Sequence, residues 1–428
     1  MAWAALAAAL MGLGALTWIA WGGGLGIKAL GLLFLSAGLL WFGRRRLDKA
    51  SRGPVDTVFK LVFTVAASVA LLRHPIEVEG QGRMALFDAI GQFIGAVDPN
   101  TFLFWALVAT LIKLVGVVSS AYAWNLLLVG QGIRMPFWQT TMSGFLLGRF
   151  IGTFMPSTIG LDGYTLYEAA RYSNQGARAV TAKALEKFIG VTGLFLGMVL
   201  TLPFGYSVII EVAEKAGRPD SAPMLAAAIA LVAGGISAAV VLGLVYPGVL
   251  VAVVHLFGRL PVIGSRLDAY VQRFAEAVGA YRGKVGLLFV ALFMKFVTHF
   301  TTAMVYYFTA LAIGVDDAGF WPIVFGSTIQ ILGTVLAPTI AGEGAREAMQ
   351  ALLLSGHLGG VPQAVLSGAL GFIAAEAATL WGGVFLFTRT PTWRPSFCEV
   401  DGAQVDYAWI DGDDGGFSAD KVAALQRG

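Results

Sequence analysis

The chain has 428 residues, of which 57% are hydrophobic and only 13% charged, and its mean hydropathy is +0.75. Such a composition excludes a soluble globular domain and describes a polytopic membrane protein. The formal net charge of +3 says little; the single cysteine, Cys398, excludes an intramolecular disulfide, and four scattered histidines offer no metal-ligand spacing.

Residues 1–43 carry one charged side chain, Lys28, and break at WGGGLG into two apolar stretches, Ala4–Ala20 and Leu25–Phe42. A cleaved signal peptide needs a basic start, and here a second apolar stretch follows at once, so an uncleaved transmembrane hairpin is expected. Trp3, Trp18, Trp21 and Trp41 fit an interfacial belt. Further apolar stretches run over Thr57–Leu72, Thr101–Leu128, Val180–Leu202, Met224–Leu256, Gly286–Ile313 and Gln363–Phe387. Each is long enough to cross a hydrocarbon core of about 30 Å as a helix. The basic segments RRRLDKASR (44–52) and GRLPVIGSRLDAYVQRFAEAVGAYRGK (258–284) place those loops in the cytoplasm. Within the second, Leu267, Tyr270, Val271, Phe274, Val278 and Tyr281 form one helical stripe, as in a helix lying in the membrane interface.

Two segments do not fit simple spans. Residues 136–179 begin and end on the cytoplasmic side by this charge pattern, with an apolar arm, Pro136–Phe154, and a polar arm, TLYEAARYSNQGARA. A re-entrant hairpin broken at Met155–Gly163 is predicted, because non-helical backbone at membrane depth is tolerated only where it lines a cavity or packs against protein. Residues 321–360 repeat the plan with Trp321–Leu336, APTIAGEGAREAM and an arm ending in SGHLGG. Laying the chain on itself at an offset of 182 residues superposes Lys113 on Lys295, Ser119-Ser120 on Thr301-Thr302, Gly132 on Gly314, Gly144 on Gly326, Pro156 on Pro338 and Gly160 on Gly342. The expected fold is therefore an all-α polytopic integral membrane protein with about eight transmembrane helices and two re-entrant hairpins in an inverted-topology repeat. Its parts are an N-terminal hairpin (1–43), a first half (55–203), a second half (223–390) and a flexible cytoplasmic tail (391–428).

Charge inside a membrane is costly and marks a pathway, a relay or a pair. That singles out Asp162 and Glu168 in the first hairpin and Glu343, Arg346 and Glu347 in the second; the bland reading is a salt bridge that holds each hairpin together. Helix N-termini at the breaks suit an anionic headgroup, to which Arg149 and Arg346 can add bidentate contacts, although snorkelling is an equal alternative for Arg149. Lys113 and Lys295, mid-span at equivalent positions, read as a gate or headgroup contact. His299 is either a proton relay or a residue hydrogen-bonded between helices, and the second is preferred.

At the two hairpins the sequence resembles the transmembrane region of the lysylphosphatidylglycerol synthase family, over roughly residues 55–390. The family's proline followed by Gly-Gly-Asp reads here as Pro156, Gly160, Leu161 and Asp162, with one glycine missing; the arginine expected near Thr165 is absent, and Arg171 is its possible replacement. A later acid–base pair reads as Glu186-Lys187, and the second-half motif is intact as Pro338, Gly342, Gly344 and Glu347, beside Arg346. The resemblance implies movement of lipid between leaflets of the inner membrane, without the soluble aminoacyl-transferase domain that bifunctional members carry. The expectation is a translocase passing a polar or anionic lipid headgroup through a cleft between the hairpins, with both termini cytoplasmic, no cofactor and no nucleic-acid partner. The alternatives are a membrane enzyme using Asp162 or Glu347 as base, for which the sequence displays no nucleophile or metal set, and a non-transporting partner of a lipid or glycan synthase.

Overall fold

The computed structural model describes residues 2–21, 27–78, 82–154, 159–248, 275–336, 342–389 and 393–407. Pro156, Pro338, the stripe residues Leu267, Tyr270, Val271 and Phe274, and the chain beyond Tyr407 lie outside the described residues. The helices are α1 (Ala2–Trp21), α2 (Ile27–Arg45), α3 (Lys49–Leu72), α4 (Leu86–Ile94), α5 (Pro99–Gly130), α6 (Ser143–Phe154), α7 (Ile159–Ser173), α8 (Gly176–Thr201), α9 (Tyr206–Lys215), α10 (Ala222–Val245), α11 (Val285–Ala312), α12 (Phe320–Leu336), α13 (Ala345–Leu354) and α14 (Val361–Leu380). Six helices are long and apolar enough to cross a membrane among the described residues: Ser51–Leu72, Pro99–Gly130, Gly176–Thr201, Pro219–Val245, Val285–Ala312 and Val361–Thr388. These coincide with six of the eight expected spans; the other two, from the N-terminal hairpin, are present as the helices α1 and α2.

On α5, Leu103, Leu107, Leu111 and Val115 form an exposed row at every fourth residue, whereas Ala109, Lys113, Val117, Ser120 and Trp124 are buried. A helix that shows apolar side chains outward and polar ones inward is built for lipid, since lipid offers polar groups no partner.

The chain forms two compact units assembled from interleaved segments: Met1–Thr110, Thr201–Leu225 and Ala303–Ala375 make the first, and Leu111–Leu200, Ala226–Thr302 and Glu376–Gly428 the second. In the first unit, α1, α2 and α3 share a core of Leu6, Ala9, Leu13, Leu47, Val55 and Phe59. An antiparallel pair, β1 (Pro75–Val78) and β2 (Gly82–Ala85), leads into the amphipathic α4, which buries Leu86 and Ala89. α12 and α13 form a helical hairpin in this unit.

The second unit centres on Trp124, Leu127, Leu128, Leu185, Ile189, Tyr281 and Leu288. Its own helical hairpin pairs α6 with α7, and α6 is entered through a π-helical turn at Phe137–Met142. A Cβ at Gly160 would fall 2.5 Å from the Cα of Gly152, so the two arms touch backbone to backbone. Gly160→Leu must force α6 and α7 apart and is expected to destabilise by about 2–3 kcal/mol, as overpacking does; a thermal unfolding series in detergent checks it.

Residues 393–407, in the segment expected to be flexible, fold onto this unit. β3 (Ile133–Arg134) pairs antiparallel with β4 (Glu399–Val400), and β4 with β5 (Ala403–Gln404). Cys398 is buried, and Trp393, Val405 and Tyr407 pack on the core. Arg178 donates to Asp401 at 2.8 Å and Lys284 to the Gly130 carbonyl at 2.9 Å. Arg134, Arg178 and Lys284 thus gather at one end of the unit, together with the C-terminal strands.

The 182-residue correspondence extends to secondary structure. α5 and α11 end at Gly130 and Ala312, and α6 and α12 end at Phe154 and Leu336, each pair 182 apart. Gly132 and Gly314, another such pair, both have φ of +80°, where only glycine sits without strain.

Candidate functional site

In the second unit the helix α8 presents Glu186 to two lysines. Lys183, one turn earlier, and Lys295 from α11 each hold one of its oxygens at 2.6 Å. Lys295 also donates to Ser120 of α5 at 2.8 Å, and Lys183 to Thr165 of α7 at 2.9 Å. The Lys183 ammonium lies 3.7 Å from the centre of the Trp124 ring. α8 and α11 come this close because residue 193 is glycine: a Cβ there would sit 2.8 Å from the Lys295 backbone. All three charged groups are buried, with Glu186 only 5% exposed. Two ammonium groups on one carboxylate leave a formal surplus of one positive charge inside an apolar bundle.

Lys113 continues the polar line, donating to Thr302 at 2.9 Å. Lys113 and Lys295 are 182 apart, as are Ser120 and Thr302, so the two lysine contacts are reciprocal copies of each other. Between them Thr298 donates to the carbonyl of Gly116, its own counterpart 182 residues away, at 3.2 Å. Arg149 of α6 approaches Glu376 of α14 at 3.7 Å, and Thr153 donates to the same carboxylate at 2.6 Å. The Nε of Arg149 is buried with no hydrogen-bond partner.

The family model described as the lysylphosphatidylglycerol synthase TM region matches residues 83–386. The chain belongs to this family. It is accordingly a multi-pass membrane protein, and the matched residues contain both helical hairpins. No curated protein and no solved structure matches the chain.

The positions that carry the resemblance to the lysylphosphatidylglycerol synthase TM region divide into distinct groups. Asp162, in the first turn of α7, pairs with Lys187, which is half exposed. Glu186 and Lys187, adjacent in sequence, therefore point to different partners. Glu168 is buried, accepts from the Tyr164 hydroxyl at 3.1 Å, and pairs with Arg389 from the segment after α14. Arg389 also donates to the carbonyls of Gln139 and Thr140 in the π-helical turn. Arg171 contacts Tyr167 and Tyr172 through its guanidinium and donates to the Tyr167 hydroxyl at 3.0 Å.

In the first unit the second family motif opens α13. Gly344 is the N-cap with φ of +76°, and the Glu347 side chain reaches back to its N–H at 2.7 Å. The other oxygen of Glu347 binds Arg346 at 2.6 Å, and Arg346 stacks on Phe372 at 4.2 Å. Gly342, with φ of +74°, packs against Thr334, while Glu343 is exposed. One turn beyond Arg346, both amide atoms of Gln350 are buried without a partner, as are Ser327 Oγ and Gln330 Oε1 of α12.

Lys183, Glu376 and Arg389 are the residues that sequence reasoning passed over as site members. Lys183 and Glu376 are marked only by their position in the apolar stretches Val180–Leu202 and Gln363–Phe387, and Arg389 follows the second; partners lie up to 227 residues away in the chain (Arg149 to Glu376).

Proposed function

We propose that the protein is a lipid translocase that moves an anionic headgroup between leaflets, with the Lys183–Glu186–Lys295 network as its headgroup site. The observation that carries this reading is the buried positive surplus. Burying unbalanced charge is expensive unless a partner of opposite sign arrives, and a lipid phosphate supplies that charge while its acyl chains stay in the bilayer. Lys113 and the unpartnered Arg149 Nε extend the cationic line along the same bundle.

Alternating exposure of such a site follows from an inverted repeat. Reciprocal contacts are the signature of a two-fold relation, in which residue i meets j and j meets i. The pairs Lys113–Thr302 and Lys295–Ser120, with Gly116 and Thr298 meeting each other, support that relation between the halves 55–203 and 223–390. The helical hairpins are then the re-entrant elements, and eight spans place both termini in the cytoplasm. The gathering of Arg134, Arg178 and Lys284 beside the C-terminal strands supports this orientation.

Reconstitution into vesicles carrying a fluorescent anionic phospholipid tests the reading. Lys113→Met and Lys295→Met together are expected to cut flipping at least about 10-fold, the equivalent of one 1.4 kcal/mol interaction, in protein that still folds. A folded double variant flipping at the wild-type rate overturns the headgroup assignment.

A further inference from the structure

α9 and the turn after α13 place three chemistry-bearing side chains in line within the first unit. Ser207 Oγ lies 3.0 Å from His357 Nε2, and His357 Nδ1 lies 2.7 Å from Glu211 Oε2. An ionised carboxylate can only accept, so Nδ1 carries the proton and Nε2 of the neutral ring is left to accept from the serine hydroxyl. That is the tautomer a general base for serine requires. Ser207 and Glu211 share one face of α9, four residues apart.

The acid is held firmly. Glu211 accepts from the Gly356 N–H at 2.8 Å and pairs with Lys215, which also donates to Ser355 at 2.7 Å and to the Leu352 carbonyl at 3.2 Å. Residue 356 must be glycine for this approach, because a Cβ there would stand 2.6 Å from the carboxylate. Burial works against the charged form of Glu211, but these hydrogen bonds and the Lys215 charge outweigh it and hold the carboxyl below its ordinary range. Glu211 is therefore ionised at neutral pH, as an orienting acid must be. Ser207 itself is exposed.

We propose that Ser207, His357 and Glu211 form a catalytic triad that cleaves a lipid-borne carboxylic ester at the membrane surface. The surface location comes from Phe204 and Trp321, which stack at 4.9 Å close to Ser207 and are 59% and 40% exposed. Such half-exposed aromatics belong to the headgroup level of a bilayer. The polar residues lie outside the spans Gly176–Thr201 and Pro219–Val245, so water reaches them.

In the first step Ser207 Oγ attacks the ester carbonyl carbon and its proton passes to His357 Nε2. The carbonyl π electrons move to oxygen, giving a tetrahedral alkoxide. Collapse expels the alcohol, protonated by His357, and leaves the acyl group on Ser207. Water then gives a proton to His357 and its hydroxide to the acyl carbon, releasing the carboxylic acid and restoring the serine. Glu211 stays ionised throughout. None of the headgroup-network residues takes part, so this reading and the translocase reading fail independently.

The test uses the full chain in detergent micelles and a fluorophosphonate probe, which phosphonylates an activated serine and releases fluoride. Labelling is expected at Ser207, located by peptide mass spectrometry and absent from Ser207→Ala. His357→Gln is expected to slow it at least about 100-fold, the usual worth of a positioned general base. A polar clasp without catalysis gives no label in the wild type, or equal rates in wild type and His357→Gln, and either result overturns the triad. In mixed micelles the wild type is expected to hydrolyse p-nitrophenyl palmitate and Ser207→Ala is not. Turnover of p-nitrophenyl acetate with none of the palmitate overturns the lipid assignment.

Discussion

Replacing Glu186 by alanine is expected to destabilise the protein by about 3–5 kcal/mol, because removing one side of a buried ion pair leaves the other charge uncompensated. Here two ammonium groups lose their partner at once. Lys295 keeps Ser120, and Lys183 keeps Thr165 and the face of Trp124, but none of these is an anion. Neutralising the lysines in the same background reverses the logic. Glu186→Leu with Lys183→Met and Lys295→Met puts apolar side chains where the charges were, and such exchanges of a whole buried network are often neutral or stabilising. The single variant is therefore expected to unfold well below the wild type in a thermal series in detergent, and the triple variant close to it. Contacts within the network make the effects non-additive, and the size of that coupling is the direct measure of the network. A Glu186→Ala protein as stable as the wild type shows that the lysines are not held by charge. The triple variant also separates folding from function: stable, but without the positive surplus, it is expected not to flip an anionic lipid.

The sequence displayed most of the backbone plan and little of the wiring. Long apolar runs are legible because a helix crossing lipid has few alternatives, and the six long helices fall on stretches read from composition alone. The prolines expected to break the two hairpins, Pro156 and Pro338, lie outside the described residues; α6 ends at Phe154 and α12 at Leu336, while α7 is helical from Ile159, inside the stretch Met155–Gly163 expected to be broken. The equivalence of Lys113 and Lys295 was visible as a matched spacing. That each lysine bonds the partner of the other, through Thr302 and Ser120, was not visible, because spacing along the chain carries no information on which helices cross. The same limit hid Arg389, whose partner Glu168 precedes it by 221 residues, and the pairing of β3 with β4. A two-residue strand gives no periodicity to read. Composition also made residues 391–428 look unable to fold alone; what it does not register is that Trp393, Cys398 and Val405 bury themselves on a core belonging to other helices. Ser207 and His357 escaped notice for a related reason, since their 150-residue separation is closed only by α9 meeting the turn after α13.

Glu347 and Asp162 are each the acid of one hairpin motif, yet the structure gives them opposite sensitivities. Glu347→Gln is expected to destabilise by about 3 kcal/mol or more, and Asp162→Asn by less than about 1 kcal/mol. Glutamine at 347 can still accept from the Gly344 N–H, so the helix cap survives. What it removes is the charge beside Arg346, a guanidinium only 4% exposed and otherwise resting on Phe372. Cation–π contact is worth about 2 kcal/mol when desolvated and does not replace a carboxylate. Asp162, by contrast, faces a half-exposed Lys187, which turns to water when its partner is neutral. The double variant Glu347→Gln with Arg346→Met leaves no unpaired charge and is expected to regain most of the lost stability. Thermal unfolding of the four proteins in one detergent decides the matter. Equal losses for Glu347→Gln and Asp162→Asn mean that the Arg346–Glu347 pair is not energetically buried. Recovery in the double variant, followed by loss of lipid flipping in vesicles, places the charge pair in transport and not only in the fold.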